Sequence, residues 1–346
     1  MLYRVLILRL LSLMPPELAQ SLAERCLRIK PPWRFIAQYI KTDISQLNTD
    51  LCGIPLSSPI GLAAGFDKDF RMLNTLSLFD FGYLTCGTVI VNPQPGNPKP
   101  RLIRDVSDRA IINSMGFPSK GLQFVENAIK QDRTDVLLPI IASISGIDLE
   151  SIKTSYLRLS PLVSAIEVNI SSPNTAGLKV FHDPARLSEM IKMIREIDSR
   201  PLFIKLPPHN EEITEINSAL SLASACIDSG ANGITVSNSH PIEDDRLSVG
   251  HGGLSGAGLI NRTLKMVSRF RSYLGPDIAI NACGGIFSGD DVFNALLAGA
   301  NTTQMYTAFI YRGPTVVKSM KNELLNRMKT EGITRLSEIN HGYVNY

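Results

Sequence analysis

Eight short apolar runs recur along the chain, each followed by a stretch with helical periodicity, and this alternation limits the possible folds more than any other feature. The runs are Ile60 to Ala64, Tyr83 to Thr88, Val136 to Ile144, Ala165 to Ile170, Leu202 to Leu206, Gly233 to Ser237, Ile278 to Ala282 and Thr303 to Tyr306. Helical patterns such as Ala185 to Ile197, Glu211 to Ser229 and Asp290 to Ala298 lie between or after them. Strands that alternate with helices build parallel α/β sheets, and eight such units make a closed (β/α)8 barrel of the TIM type the economical solution. An open doubly wound sheet is the competing arrangement; the lack of Gly-x-Gly-x-x-Gly after the first strand counts against it. With 346 residues, 44% of them hydrophobic, the chain can build one barrel of about 250 to 300 residues.

Composition removes several classes of function. A net charge of +3, without a basic stripe interleaved with aromatics, argues against a nucleic-acid partner. The five cysteines are odd in number, widely spaced and free of any C-x-x-C pair, which speaks against a disulfide framework or zinc site and for a reducing compartment. The five histidines show no H-E-x-x-H or similar spacing, so no metal is expected.

The N-terminus has its own character. Residues 1 to 13 are apolar apart from Arg4 and Arg9 and stop at Pro15-Pro16; a span would need roughly 20 apolar residues. A second helix is signalled by Pro16-Glu17, with Leu18, Leu22 and Ile29 on one side and Glu17, Ser21, Glu24 and Arg28 on another. Two short amphipathic helices can lie on a membrane or partner, or cap one end of a barrel. Residues 1 to 41 carry seven basic and two acidic side chains, an excess suited to an anionic leaflet. Arg9 interrupts the apolar core a signal peptide needs, and no small-residue cleavage site follows. Pro31-Pro32-Trp33 reads as a boundary. The expected organisation is therefore a helical extension, 1–41, and a barrel, 42–346.

Polar residues cluster where the strands should end, the face on which such barrels carry their chemistry. The fourth run passes into Asn169-Ile170-Ser171-Ser172-Pro173-Asn174-Thr175. Lys68 closes Gly61-Leu62-Ala63-Ala64-Gly65-Phe66-Asp67-Lys68 after the first run, and Thr88 ends the second. A Pro-rich insertion follows, too long for an ordinary loop, and continues to Asn113-Ser114-Met115-Gly116-Phe117. Lys205 ends the fifth run, and Ser237-Asn238-Ser239-His240 ends the sixth, with His240 read as a loop histidine. Gly252-Gly253-Leu254-Ser255-Gly256, read as a turn before a helix, joins Cys283-Gly284-Gly285-Ile286 and Met305-Tyr306-Thr307 as an anion cradle. The amides of Asn113, Asn169, Asn174 and Asn238, with the Lys68 charge, suit a planar cyclic imide bearing a carboxylate. No side chain in this set accepts a hydride, so redox chemistry would need a bound cofactor.

The string Asn169 to Leu178 and the motifs around it resemble the dihydroorotate dehydrogenases, in particular the membrane-associated, quinone-reducing class. The resemblance extends from Met1 to about Gly313. It implies oxidation of dihydroorotate to orotate, with Ser172 as the base that removes the C5 proton. Soluble classes place a cysteine at that position, and no cysteine lies between Cys86 and Cys226. It implies substrate contacts from Lys68, Asn113, Asn169, Asn174, Asn238 and Ser239. For the cofactor it implies FMN held by Ala64, Thr88, Ser143, Asn169, Lys205, Ser237, Gly256, Gly285, Tyr306 and Thr307. A lipid quinone would reach the flavin through the two-helix extension, near Arg104 and Tyr306. With no transit peptide rich in Arg and Ser, the expected location is peripheral, on the cytoplasmic face of a bacterial inner membrane. Three stretches depart from the family. Ile141-Ala142-Ser143-Ile144-Ser145-Gly146 stands where the family has Gly-x-Asn-x-Gly-Lys-Asn-Lys, Pro207-Pro208 where it has proline and aspartate, and His240 where it has threonine. A barrel paralogue acting on another cyclic substrate, or a non-catalytic flavin- or ligand-binding homologue, are the alternatives these departures leave.

Overall fold

The structure, a computed structural model, describes residues 3–132, 136, 138–171 and 177–339. A π-helical turn, Tyr3–Ile7, runs into α1 (Leu8–Ser12), and α2 (Pro16–Leu27) follows. These are the two helices expected of the extension. Pro31-Pro32-Trp33 does not mark its boundary: it forms the first turn of a third helix, α3 (Lys30–Ile40). Proline is at ease there, because its fixed φ suits a helix and its missing N–H would be unbonded in the first turn anyway.

A hairpin of β1 (Thr49–Leu51) and β2 (Ile54–Leu56) precedes β3 (Ile60–Leu62), α4 (Leu73–Leu76) and β4 (Tyr83–Val89). The insertion then supplies β5 (Leu102–Asp105) and β6 (Ala110–Asn113) before α5 (Leu122–Asp132). Regular alternation resumes with β7 (Ile140–Ile144), α6 (Leu149–Leu159), β8 (Ala165–Asn169), α7 (Pro184–Arg195), β9 (Leu202–Lys205), α8 (Ile213–Asp228) and β10 (Gly233–Val236). A second insertion carries β11 (His240–Glu243) and β12 (His251–Gly256), and the chain ends α9 (Ile260–Leu274), β13 (Ala279–Cys283), α10 (Gly289–Leu297), β14 (Thr302–Met305), α11 (Thr307–Arg312) and α12 (Val316–Thr330). Asp148, Asp183 and Ser288 cap α6, α7 and α10, each side chain accepting a backbone N–H of the first turn, so these starts were written locally.

Strands β3, β4, β7, β8, β9, β10, β13 and β14 pair in parallel, in that order, and β14 closes on β3. Each expected apolar run thus supplies one barrel strand, although the third begins at Ile140 rather than Val136. Every residue of these eight strands is buried, as expected of parallel strands covered by helices outside and side chains inside. The β1–β2 hairpin plugs the N-terminal mouth, where Leu51 and Leu56 pack on Tyr83, Ile141, Phe203 and Ala279.

Over the C-terminal mouth the two insertions meet as an antiparallel sheet in the order β11-β12-β6-β5. Here two expectations are corrected. The stretch Gly252 to Gly256 is no turn but most of β12, and His240 opens β11 instead of lying in a loop. The glycines serve close approach: a Cβ on Gly253 would stand 2.0 Å from Ser239 Oγ. The extension lies against this sheet. Arg104 Nη1 on β5 donates to the Leu11 carbonyl at 2.6 Å, Tyr3 Oη to the Ile310 carbonyl at 2.7 Å, and Lys99 Nζ meets Glu17 at 2.7 Å. No helix among the described residues is long and apolar enough to cross a membrane. Leu6, Leu10, Leu13, Leu18, Ile29 and Phe35 nevertheless face outward, Leu13 with 85% of its surface exposed.

Candidate active site

A cavity of about 700 Å³ begins over the C-terminal ends of the barrel strands and continues beneath the extension. Its barrel end is lined by Ala64, Lys68, Thr88, Asn113, Asn169, Lys205, Asn238, Ser239, Gly256, Gly285, Tyr306 and Thr307. These come from sequence positions 64 to 307, and only barrel closure brings them together. Ser143 and Ser237, expected as cofactor contacts, do not line the cavity; both are buried behind it. Ser172 and Asn174 lie outside the described residues.

Asn169, the last residue of β8, organises the polar end. Its Nδ2 donates to Thr88 Oγ1 at 2.9 Å, and its Oδ1 accepts from the Ser171 backbone N–H at 3.0 Å and hydroxyl at 2.6 Å. Asn238 Nδ2 donates to that Ser171 hydroxyl at 2.7 Å, tying the end of β10 to the end of β8. Ser143 Oγ lies 3.1 Å from Thr88 Oγ1, which links Ser143 to the cavity through the Thr88 hydroxyl. Asn113 Nδ2 reaches the Gly253 carbonyl at 3.3 Å, which seats the insertion sheet at the rim.

Two lysines bring positive charge into this space. Burial is the main influence on Lys68 and lowers its pKa, which the Glu24 carboxylate partly opposes. For Lys205, only 3% exposed, burial pulls the same way, yet neighbouring Cys283 and Glu167 carry its pKa above the ordinary value. Lys205 Nζ stands 3.8 Å from Cys283 Sγ. Burial of Tyr306 pushes its phenol up to about 12. Gly285 must be glycine, because a Cβ there would fall 2.2 Å from Ile260 N; the loop after β13 therefore packs its backbone directly on the first turn of α9. Backbone amides at such a junction can receive an anionic group. Among the described residues no three His, Cys, Asp or Glu side chains are placed to hold a metal ion.

The other end of the cavity is apolar. Leu8, Leu11, Ala19, Leu22, Ala23 and Leu27 of the extension face Phe66, Tyr306 and Phe309. Phe66 packs edge-on against Tyr306 and Phe309, with ring centroids 5.6 and 4.9 Å apart. Arg104, held by Leu11, lines the cavity beside α1.

Residue patterns alone do not single out Glu167 or Gln304. Glu167 fills the barrel interior below the site, Gln304 lies at the cavity floor, and Asp67 anchors the loop after β3 through the backbone N–H groups of Arg71 and Met72, both at 2.8 Å. The available signal was an acid or amide inside an apolar run, as at Ile166-Glu167-Val168.

A family model described as dihydroorotate dehydrogenase matches residues 46–328. "Dihydroorotate dehydrogenase (quinone)" of Clavibacter sepedonicus is 36% identical over 336 residues, covering 92% of this chain and 96% of that one. The protein of the same name from Mycobacterium tuberculosis strain H37Rv is 32% identical over 351 residues, covering 96% of each. A crystal structure of DHODH from Eimeria tenella in complex with ferulenol superposes with a TM-score of 0.81 at 28% identity, covering 94% of this chain and 95% of that one. The barrel, the two-helix extension and these matches across nearly the whole length establish that the chain belongs to the dihydroorotate dehydrogenase family, in its quinone-dependent class 2 branch.

Proposed function

We propose that the protein oxidises dihydroorotate to orotate, a step of pyrimidine synthesis, with FMN as cofactor and a membrane quinone as final electron acceptor. The observation that carries this reading is one cavity with two characters: amides and lysines at the barrel end, leucines and aromatics beneath the extension. A polar heterocycle fits the first and a lipid quinone the second. FMN, when bound, supplies the acceptor for the hydride leaving C6 of dihydroorotate, which no side chain here can provide.

The residues present suit that cofactor. Lys205 would offer the ring a buried ammonium, Thr88 and Asn169 a hydroxyl and an amide, and Gly256, Gly285, Tyr306 and Thr307 would hold its phosphate. Ala64 walls the ring, while Ser143 and Ser237 support Thr88 and Asn238 from behind. Lys68, Asn113, Asn169, Asn174, Asn238 and Ser239 bind and orient the substrate. Ser172 takes the C5 proton and passes its own through Thr175 or water, since a serine hydroxyl is a weak base unaided.

Residues 1–41 form the acceptor's access unit and 42–346 the catalytic barrel. The outward leucines and the basic excess of the extension support a peripheral position on a lipid surface, at the cytoplasmic face of a bacterial inner membrane.

The test is anaerobic. Mixing the purified yellow protein with dihydroorotate should bleach the oxidised flavin band, and Ser172→Ala should slow the bleaching by about 10²- to 10⁴-fold, the usual worth of a general base. A flavoprotein that stays yellow would move the assignment to a barrel acting on another cyclic substrate.

A further inference from the structure

Beneath the cavity the barrel is filled by polar side chains rather than the usual aliphatic layers. Tyr83 Oη meets Thr302 Oγ1 at 2.8 Å, Thr302 donates to Asn281 at 2.6 Å, and Asn281 Nδ2 donates to Thr235 Oγ1 at 3.3 Å. Thr235 in turn donates to Glu167 Oε2 at 2.7 Å, where Gln304 Nε2 also arrives at 3.4 Å. Glu167 is 1% exposed, and its Oε1 has no hydrogen-bond partner among the described residues. The β8–β9 register pairs Asn169 with Lys205. Because side chains alternate along a strand, Glu167, two residues before Asn169, projects into the same interior one layer deeper.

Buried charges are normally paired. The other buried ionised side chains have partners of their own: Lys321 meets Asp80 at 3.0 Å, and Arg271 donates to the Gly299 carbonyl and Asn301. Asp67 is bonded to backbone N–H groups of its own loop. Lys205 meets the Cys283 thiol and Glu167 meets the neutral donors of Thr235 and Gln304, so each buried charge has polar neighbours but no ion pair among the described residues, and the two are opposite in sign and face one interior. We propose that Glu167 is the counter-charge of Lys205, a positioning residue that keeps this ammonium protonated at the cavity floor and so sets the pH range in which a bound flavin is reducible. The consequence for the flavin rests on the functional reading above; the charge pair itself does not.

The other titratable groups around this interior are Cys283 on β13, Tyr83 on β4 and Tyr306 after β14, and burial raises all three, Lys205 opposing the rise at Cys283. Lys68, across the cavity, is a like charge and opposes protonation of Lys205. Glu167 is the one carboxylate in this set, and with Cys283 it is one of the two neighbours that raise the Lys205 pKa.

Glu167→Gln keeps the shape and the contacts to Thr235 and Gln304 while deleting the charge; Lys205→Met deletes the ammonium. Unfolding temperatures of the wild type, both single variants and the double variant form one measurement. The expected result is non-additive, the double variant losing less than the two singles together. The second measurement is the flavin midpoint potential of the holoenzyme against pH. In Glu167→Gln a break should appear at least about one pH unit below its wild-type position, a tenfold change in proton affinity, and it should vanish in the double variant and move back in Glu167→Asp. Additive unfolding temperatures would overturn the pair, and coupled unfolding with an unchanged potential profile would overturn the positioning role. A protein that carries no flavin, or whose flavin dihydroorotate leaves oxidised, defeats the functional reading instead, and the unfolding cycle still decides the pair.

Discussion

Asp67 shows what a single buried group does to the pH response. Burial raises its carboxyl to about 7, although two backbone N–H bonds favour the charged form. The folded state therefore holds this proton more tightly than the unfolded chain does. The stabilisation from this group is complete below the ordinary aspartate range, falls as pH rises and is gone above about 7. Asp67→Asn should accordingly flatten the decline in unfolding temperature between about pH 4 and 7; an unchanged slope would place the titration elsewhere. Asp67, Lys68 and Asn169 are visible in the sequence as polar residues at the ends of apolar runs. What they bond to is not: the amide of Asn169 meets a hydroxyl 81 residues away, and no local pattern encodes that distance. Ser237 likewise gives no sign in the sequence of its left-handed backbone, φ 82°, the turn that carries Asn238 to the site.

Among elements, β12 and the extension close the site over the barrel mouth. The glycines of β12 look like a turn because glycine punctuates turns, yet here they let a strand run flush against Ser239. Gly253→Ala would push a methyl into the Ser239 hydroxyl, so the expected outcome is a several-fold higher KM for dihydroorotate with flavin content unchanged, read by steady-state kinetics. The extension meets the barrel through Arg104, Tyr3 and Glu17, and its inner leucines line one end of the cavity. Deleting residues 1 to 35 should abolish reduction of a lipid quinone while dihydroorotate still bleaches the flavin; equal loss of both half-reactions would remove the extension from the acceptor path. Its two amphipathic helices were legible from 3.6-residue periodicity. The third was not, because Pro31-Pro32 signals a stop as readily as a start.

At the scale of the molecule, Asp80 fastens three parts together. Its carboxylate accepts the Thr42 hydroxyl at 2.6 Å and backbone N–H at 3.2 Å at the end of the extension, and pairs with Lys321 of α12, itself 1% exposed. Removing one partner of a buried pair strands the other charge, so Lys321→Ala should cost about 3 to 5 kcal/mol of stability in denaturant unfolding. A loss under about 1 kcal/mol would show that water reaches Asp80. By itself the sequence determined the count and order of the barrel strands, the helix caps and the polar strand tips, because periodicity, capping and turn chemistry act within a few residues. Only the tertiary structure decided that β14 closes on β3, that the two insertions pair as one sheet over the mouth, and that Glu167 and Lys205 face one buried interior. Those outcomes depend on separations through space that closing the barrel creates and that no local stretch of chain contains.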